Sequence, residues 1–377
     1  MNMEVNRERL INWLKELIRI PSVTGKEEKI SNYIWKELKE MGYCPLRVEN
    51  NVYLEVGEGE KSLLLNSHLD TVDVEGEWKH NPFAAEMEGG RIYGRGASDD
   101  KGNIALMLEI AHLLQEKEIK GRLIFTFTTG EEYGVELESK GSFLLCKFLK
   151  AERALVLEPQ TDVVEKRINV IYGCRGIENM LLEIRGKASH TGYPERGINA
   201  ILRAAEIISR LESLDYHKVL TAEEEIKTIC MPLRIQGGAD RFLVPDRCEV
   251  MIHCRTAPGD KKIHEQVAET CREVCGQDFS LKKTYSAPGY IENPDDILAK
   301  IIHKESQKLG YQSKNRFAGG RIDASIFKNV GGIPSFCMGA GNRDQMHLVD
   351  EFITVEDFII CSELVKNIVF SYLSQGG

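Results

Sequence analysis

The sequence lacks several features that would each mark a function class. It has no apolar run approaching the ~20 residues that a membrane-spanning helix needs. It has no basic cluster either. Its Lys-rich stretches are isolated pairs such as Lys261-Lys262 and Lys282-Lys283, and 58 Asp+Glu against 49 Lys+Arg give a formal charge of −9. Binding to nucleic acid needs clustered Lys and Arg over the phosphates, so that class is set aside. None of the ten cysteines forms a C-x-x-C pair. That pattern suits reduced thiols in a cytoplasmic protein better than a disulfide framework. Cys271 and Cys275, one helical turn apart, are expected to pack and not to bind metal. There is no internal repeat and no low-complexity tract. Arg, Lys and Glu interrupt every apolar stretch of residues 1–22, so no signal peptide is expected there.

What is present is the composition of a folded chain, 42% hydrophobic and 28% charged. Its 377 residues suggest two domains at roughly 150 residues each. Leu10, Trp13, Leu14, Leu17 and Ile18 fall at helical spacing and predict an amphipathic helix. Strand-like runs at 62–66, 122–128 and 154–157 alternate with helix-like segments such as 100–117, the pattern of a layered α/β domain. Between about 173 and 285 the pattern changes. Period-two strands at 179–184 and 248–254 accompany two helix candidates, 197–214 and 261–274. Such alternation predicts a sheet with one solvated face, hence a separate α+β layer. The α/β pattern resumes after about 286, with helices at 294–309 and 355–373 and a strand at 334–338. The expected fold is therefore α/β, a mostly parallel central sheet flanked by helices. Residues 1–173 and 286–377 would form that domain and 174–285 an insertion; two consecutive domains are the alternative.

His68, Glu131, Glu132, Glu158 and His347 each follow a run that reads as a buried strand, directly or after one loop. In an open α/β sheet, ligands gather outside the carboxyl ends of the parallel strands, where residues far apart in sequence converge. A mixed set of His and carboxylates there suits a divalent transition metal, with zinc the leading candidate. Singly, each feature has a plainer alternative. His68-Leu69-Asp70 could be a surface turn, or a ligand whose second ring nitrogen Asp70 fixes. In Gly94–Gly102, Asp99 or Asp100 could cap the following helix, or Asp99 could bridge two ions. The glycine spacing there is not that of a phosphate-binding fingerprint. Glu131-Glu132 could be a charged turn, or a metal ligand beside a general base. Pro159 keeps Glu158 extended at its strand end. His190 could be an ordinary loop histidine.

In combination and order, SHLDTV, YGRGASDDKG, TTGEEYG, LEPQ, GKASHTGYPERGINA and DQMHLVDE resemble the M20 family of dinuclear-zinc metallopeptidases and deacylases. The resemblance spans about residues 5–370. It implies that His68 and Glu158 bind one zinc, that Glu132 and His347 bind a second, and that Asp99 bridges them. Cobalt or manganese could stand in for zinc. It implies Glu131 as general base, Asp70 as the orienting partner of His68, and a dimerising lid domain that lends His190 to the neighbouring subunit. Arg255 matches an Arg that holds the substrate carboxylate, a task suited to a planar guanidinium. A surface Arg paired with a carboxylate is the alternative, and Arg321 is a second candidate in a glycine-rich loop.

Two departures touch the elements of specificity. Phe242 stands where many relatives have Asn, and the loop 319–324 is one residue longer than the common form. The expected activity is hydrolysis of an amide bond in a small substrate with a free carboxylate. An exopeptidase stands first and an N-acyl-amino-acid deacylase second, with a non-catalytic binding module of the same fold as the remote alternative. The expected partners are such a substrate and a second copy of the chain, with neither nucleic acid nor membrane.

Overall fold

The computed structural model describes residues 4–115, 117–132, 136–162, 164–221, 223–238 and 242–374. Parts of two segments singled out above, 133–135 after the paired glutamates and 239–241 before Phe242, lie outside the described residues. The chain forms two compact units: Met1–Tyr172, Glu292–Phe317 and Ile322–Gly377 make one, and Gly173–Ile291 with Ala318–Arg321 the other.

The first unit is built on a central sheet. Its four middle strands, in spatial order Lys120–Thr128, Glu58–His68, Arg153–Val156 and Ser335–Cys337, run parallel. Asn51–Val56 and Leu46–Val48 extend it antiparallel at one margin, and Arg167–Cys174 pairs antiparallel with Ser335–Cys337 at the other. The expected mostly parallel sheet is thus its centre, while its margins are antiparallel. The middle strands read as unbroken apolar runs because helices cover both faces of a parallel core. Leu63, Leu64, Leu65, Leu123, Ile124 and Phe125 are all fully buried.

Arg7–Ile18 forms the predicted amphipathic helix and buries the five residues named above. The helix Lys101–Leu113 packs on it and on the strand Glu58–His68. Val355–Leu373 forms a long helix against the same sheet. Among the described residues no helix is long and apolar enough to cross a membrane.

The second unit holds a four-stranded antiparallel sheet, ordered Ile229–Gly237, Arg247–Thr256, Gly176–Arg185, Phe279–Ala287. The helices Ala200–Glu212 and Ile263–Cys275 cover one face. Met180, Leu182, Ile184, Val250 and Ile252 alternate onto that face with Cys271 and Cys275, so both cysteines pack in the core as expected. The N-cap side chain of Asn199 accepts from the N–H groups of Ile201 and Leu202 and starts the first of these helices.

Candidate metal centre

The parallel strands deliver their polar followers to one end of the sheet. His68 is the last residue of its strand, Glu131 and Glu132 follow Thr128 by three and four residues, and Glu158 follows Val156 by two. Asp99 arrives from the loop before Lys101–Leu113, and His347 from the loop after Ser335–Cys337. His68, Asp99, Glu131 and Glu158 are buried, and the Glu132 side chain is 7% exposed. The first unit thus brings together all seven residues expected there.

Asp99 is the hub. Its Oδ1 lies 3.0 Å from His68 Nε2, and its Oδ2 lies 3.2 Å from His347 Nε2. Glu158 Oε1 approaches His68 Nε2 at 4.0 Å on the first side. Glu132 Oε2 lies 3.0 Å from His347 Nε2 on the second. Ligand atoms of His68, Asp99 and Glu132 all fall within 4.8 Å of one another. His347 has a left-handed backbone, φ 65°, rare for a residue with a side chain.

Electrostatics explain why such a cluster calls for cations. Burial, then the charge of Asp99, pushes Glu158 well above the usual carboxylate range and raises Glu132 as well. Burial also opposes ionisation of Asp99, but hydrogen bonds from His347 and His68 outweigh it and hold that carboxyl well below its usual range. The bond to Asp99 and a second to Glu132 raise His347 to about 10. Burial works against protonation of His68, yet Asp70 and Asp99 hold it well above an ordinary histidine. Protons thus take the place of positive charge in this centre. Glu132 Oε1 is buried with no hydrogen-bond partner among the described residues. An unpartnered buried oxygen inside a His and carboxylate set fits a divalent metal.

The surrounding bonds position these groups. His68 Nδ1 meets the backbone oxygen of Asp70 at 3.0 Å and its carboxylate Oδ1 at 3.5 Å. The Asp70 carboxylate also accepts from Glu131 N and Glu132 N, both at 3.0 Å, and from Thr24 Oγ1 at 2.9 Å. One residue therefore orients the histidine and holds the turn that carries both glutamates. Buried Lys140 donates to the carbonyls of Gly130 and Glu131 in the same turn.

Sequence reasoning missed Lys140 and two further groups. Asp100 stands at the N-cap of its helix, but its side chain does not cap it; its carboxylate accepts from Ser67 Oγ, His68 N and Asn103 Nδ2. Glu351, fully buried, binds the Asp99 loop from four residues beyond His347. A carboxylate one helical turn's spacing after a ligand histidine was the only available signal.

A profile of peptidase family M20/M25/M40 matches residues 64–371. The chain belongs to this family. It is an M20 metallohydrolase. It is 26% identical to a succinyl-diaminopimelate desuccinylase of Beijerinckia indica, over 97% of this chain and 99% of that one. Carboxypeptidase G2 of a Pseudomonas species is 35% identical over 55% of this chain and 51% of its own. Among solved structures, the aminopeptidase PepT of Bacillus cereus superposes with a TM-score of 0.80 at 23% identity, covering 99% of this chain and 100% of that one.

The remaining expected residues lie in the second unit. His190 is exposed in the loop before Ala200–Glu212, and its Nδ1 accepts from Gly192 N at 3.0 Å. Its backbone pairs with Leu243. Arg255 is half-buried on the strand Arg247–Thr256, where burial and then the charge of Arg321 lower its pKa. The charge of Arg321 thus reaches Arg255.

Proposed function

We propose that this metallohydrolase is an exopeptidase that cleaves the terminal amide bond of a small substrate with a free carboxylate. One observation carries the dinuclear reading: the two oxygens of Asp99 face different histidines, His68 at 3.0 Å and His347 at 3.2 Å. His68, Asp99 and Glu158 would hold one zinc, and Asp99, Glu132 and His347 the other, with cobalt or manganese able to substitute. When bound, such a pair acidifies water towards neutral pH and polarises a carbonyl.

The chain's own groups do the rest. Glu131 accepts the proton of the attacking water and returns it to the leaving amine, a task its place beside the ligand Glu132 supports. Asp70 keeps His68 in one tautomer and Glu131 in one orientation. Arg255, with Arg321 as second candidate, grips the substrate carboxylate. From the family resemblance, the second unit acts as the lid and dimerisation domain, and its His190 stabilises the oxyanion in the neighbouring subunit. A homodimer is supported by the edge strand Ile229–Gly237, where Met231 and Leu233 are each more than half exposed. Ten free cysteines support a cytoplasmic setting.

The second reading, an N-acyl-amino-acid deacylase, is favoured by the full-length match to a desuccinylase. Dipeptides and tripeptides assayed beside N-acetyl and N-succinyl amino acids, with Zn²⁺ or Co²⁺ added, separate the two. Turnover of the acyl series alone would replace the peptidase reading. Less than one metal per chain after reconstitution would remove both.

A further inference from the structure

Glu351 has no part in the chemistry above, yet it is fully buried beside the centre. Its Oε1 accepts from the backbone N–H of Ser98 at 2.9 Å and of Asp99 at 3.0 Å. Its Oε2 accepts from the backbone N–H of Gly96 at 3.1 Å and from Arg95 Nη1 at 2.8 Å. The same guanidinium nitrogen reaches the carbonyl of Leu348 at 3.2 Å, next to His347. The backbone oxygen of Glu351 accepts from Gly94 N at 2.9 Å. One side chain thus closes three amides of the Asp99 loop onto the segment that bears His347. A buried carboxylate is costly unless its lone pairs are filled, and these four donors fill them.

We propose that Glu351 is a positioning residue for the metal pair: by gathering the amides of residues 96, 98 and 99 it sets Asp99 between His68 and His347. The inference rests on the dinuclear reading. Its geometry bears on why one carboxylate meets both histidines: Glu351 holds the Asp99 backbone N–H while the Asp99 side chain meets His68 and His347. Groups that orient metal ligands typically change metal affinity by about 10–100-fold when altered.

The test compares wild type with E351Q, E351D and the core variant V365A. Val365 is fully buried in the helix Val355–Leu373, which carries none of the residues assigned to the metal centre. Gln is nearly isosteric, but its amide nitrogen must face two of the four donors. Zinc affinity is read by chelator competition, and the cobalt-loaded absorption spectrum reports the ligand geometry. The expected result is a 10–100-fold loss of affinity for E351Q with an altered cobalt spectrum, and a smaller loss for E351D. V365A should melt lower with wild-type affinity and spectrum. Wild-type affinity and spectrum in E351Q overturn the proposal, whatever its melting temperature. If E351Q does not fold, E351D decides: unchanged affinity and spectrum refute it. Failure of wild type itself to bind metal refutes the dinuclear reading instead.

Discussion

Replacing Asp70 by Asn tests the link between the fold and the chemistry most directly. The substitution keeps the volume of a fully buried side chain but removes its charge and one acceptor oxygen. Oδ1 now accepts from Glu131 N and Oδ2 from Glu132 N, each at 3.0 Å, while Thr24 Oγ1 donates to Oδ2 at 2.9 Å. An amide can satisfy one of the two peptide N–H groups, and its own NH₂ then opposes the other. A buried donor left without a partner costs about 1–3 kcal/mol, and bonds to a charged acceptor are worth about 1.5–3 kcal/mol each. D70N should therefore lose about 2–4 kcal/mol of stability on these magnitudes. The turn that carries Glu131 and Glu132 also loses its anchor, so kcat/KM at saturating metal should fall about 10–100-fold. Urea titration of the metal-free protein and steady-state kinetics on the best substrate measure the two effects. A variant with wild-type stability and kcat/KM would refute the role given to Asp70.

Four further outcomes are expected. Glu131→Gln should lower kcat by about 10²–10⁴-fold while metal content stays at the wild-type level; loss of metal would instead make Glu131 a ligand. Glu132, Glu158 and His347 are all raised in the metal-free protein, His347 to about 10. A group held protonated must release its proton before it can ligate, so metal binding should liberate protons and tighten as pH rises. Calorimetry in buffers of different ionisation enthalpy reads the proton count, and a count of zero would contradict those shifts. Removing metal by chelation should lower the melting temperature, since a ligand at about 1,000 times its Kd adds about 4 kcal/mol. An unchanged melting temperature on re-addition of Zn²⁺ would show that the pocket is not a tight site. His190→Ala mixed with Glu131→Ala should regain activity if His190 acts across a dimer, and a mixture that exchanges subunits yet stays inactive excludes that arrangement.

Much of the fold was legible because it is locally encoded. The apolar runs ending at His68 and Thr128, and the run before Glu158, are strands in the structure because a parallel core buries both faces. The period-two stretches of the second unit put Met180, Leu182 and Ile184 on one face for the same kind of local reason. The site was legible as a set of residue types at strand ends. Which aspartate of Asp99-Asp100 faces both histidines was named by the family resemblance, as Asp99, and not by the residue types alone. Adjacent residues with identical side chains differ there only in tertiary surroundings: Asp100 meets Ser67 and Asn103, while Asp99 meets His68 and His347. Lys140 and Glu351 were missed because their work is done through backbone groups, and backbone acceptors and donors leave no signature in residue identity.

Taken alone, the sequence determined that this chain lacks a basic cluster along its length and a membrane-length apolar run, and that histidines and carboxylates follow its strand-like runs. Those properties depend on composition and short-range order, which need no fold to be read. The tertiary structure decided that Asp100 would meet Ser67, that Asp70 would hold a turn as well as a histidine, and that Glu351 would tie two loops together. These rest on hydrogen bonds such as Ser67 to Asp100, Glu131 to Asp70 and Arg95 to Glu351, which are 33, 61 and 256 positions apart. Such distances close only when strands stack in register and their ends meet in one low-dielectric pocket, where an unmatched charge is too costly to leave without a partner.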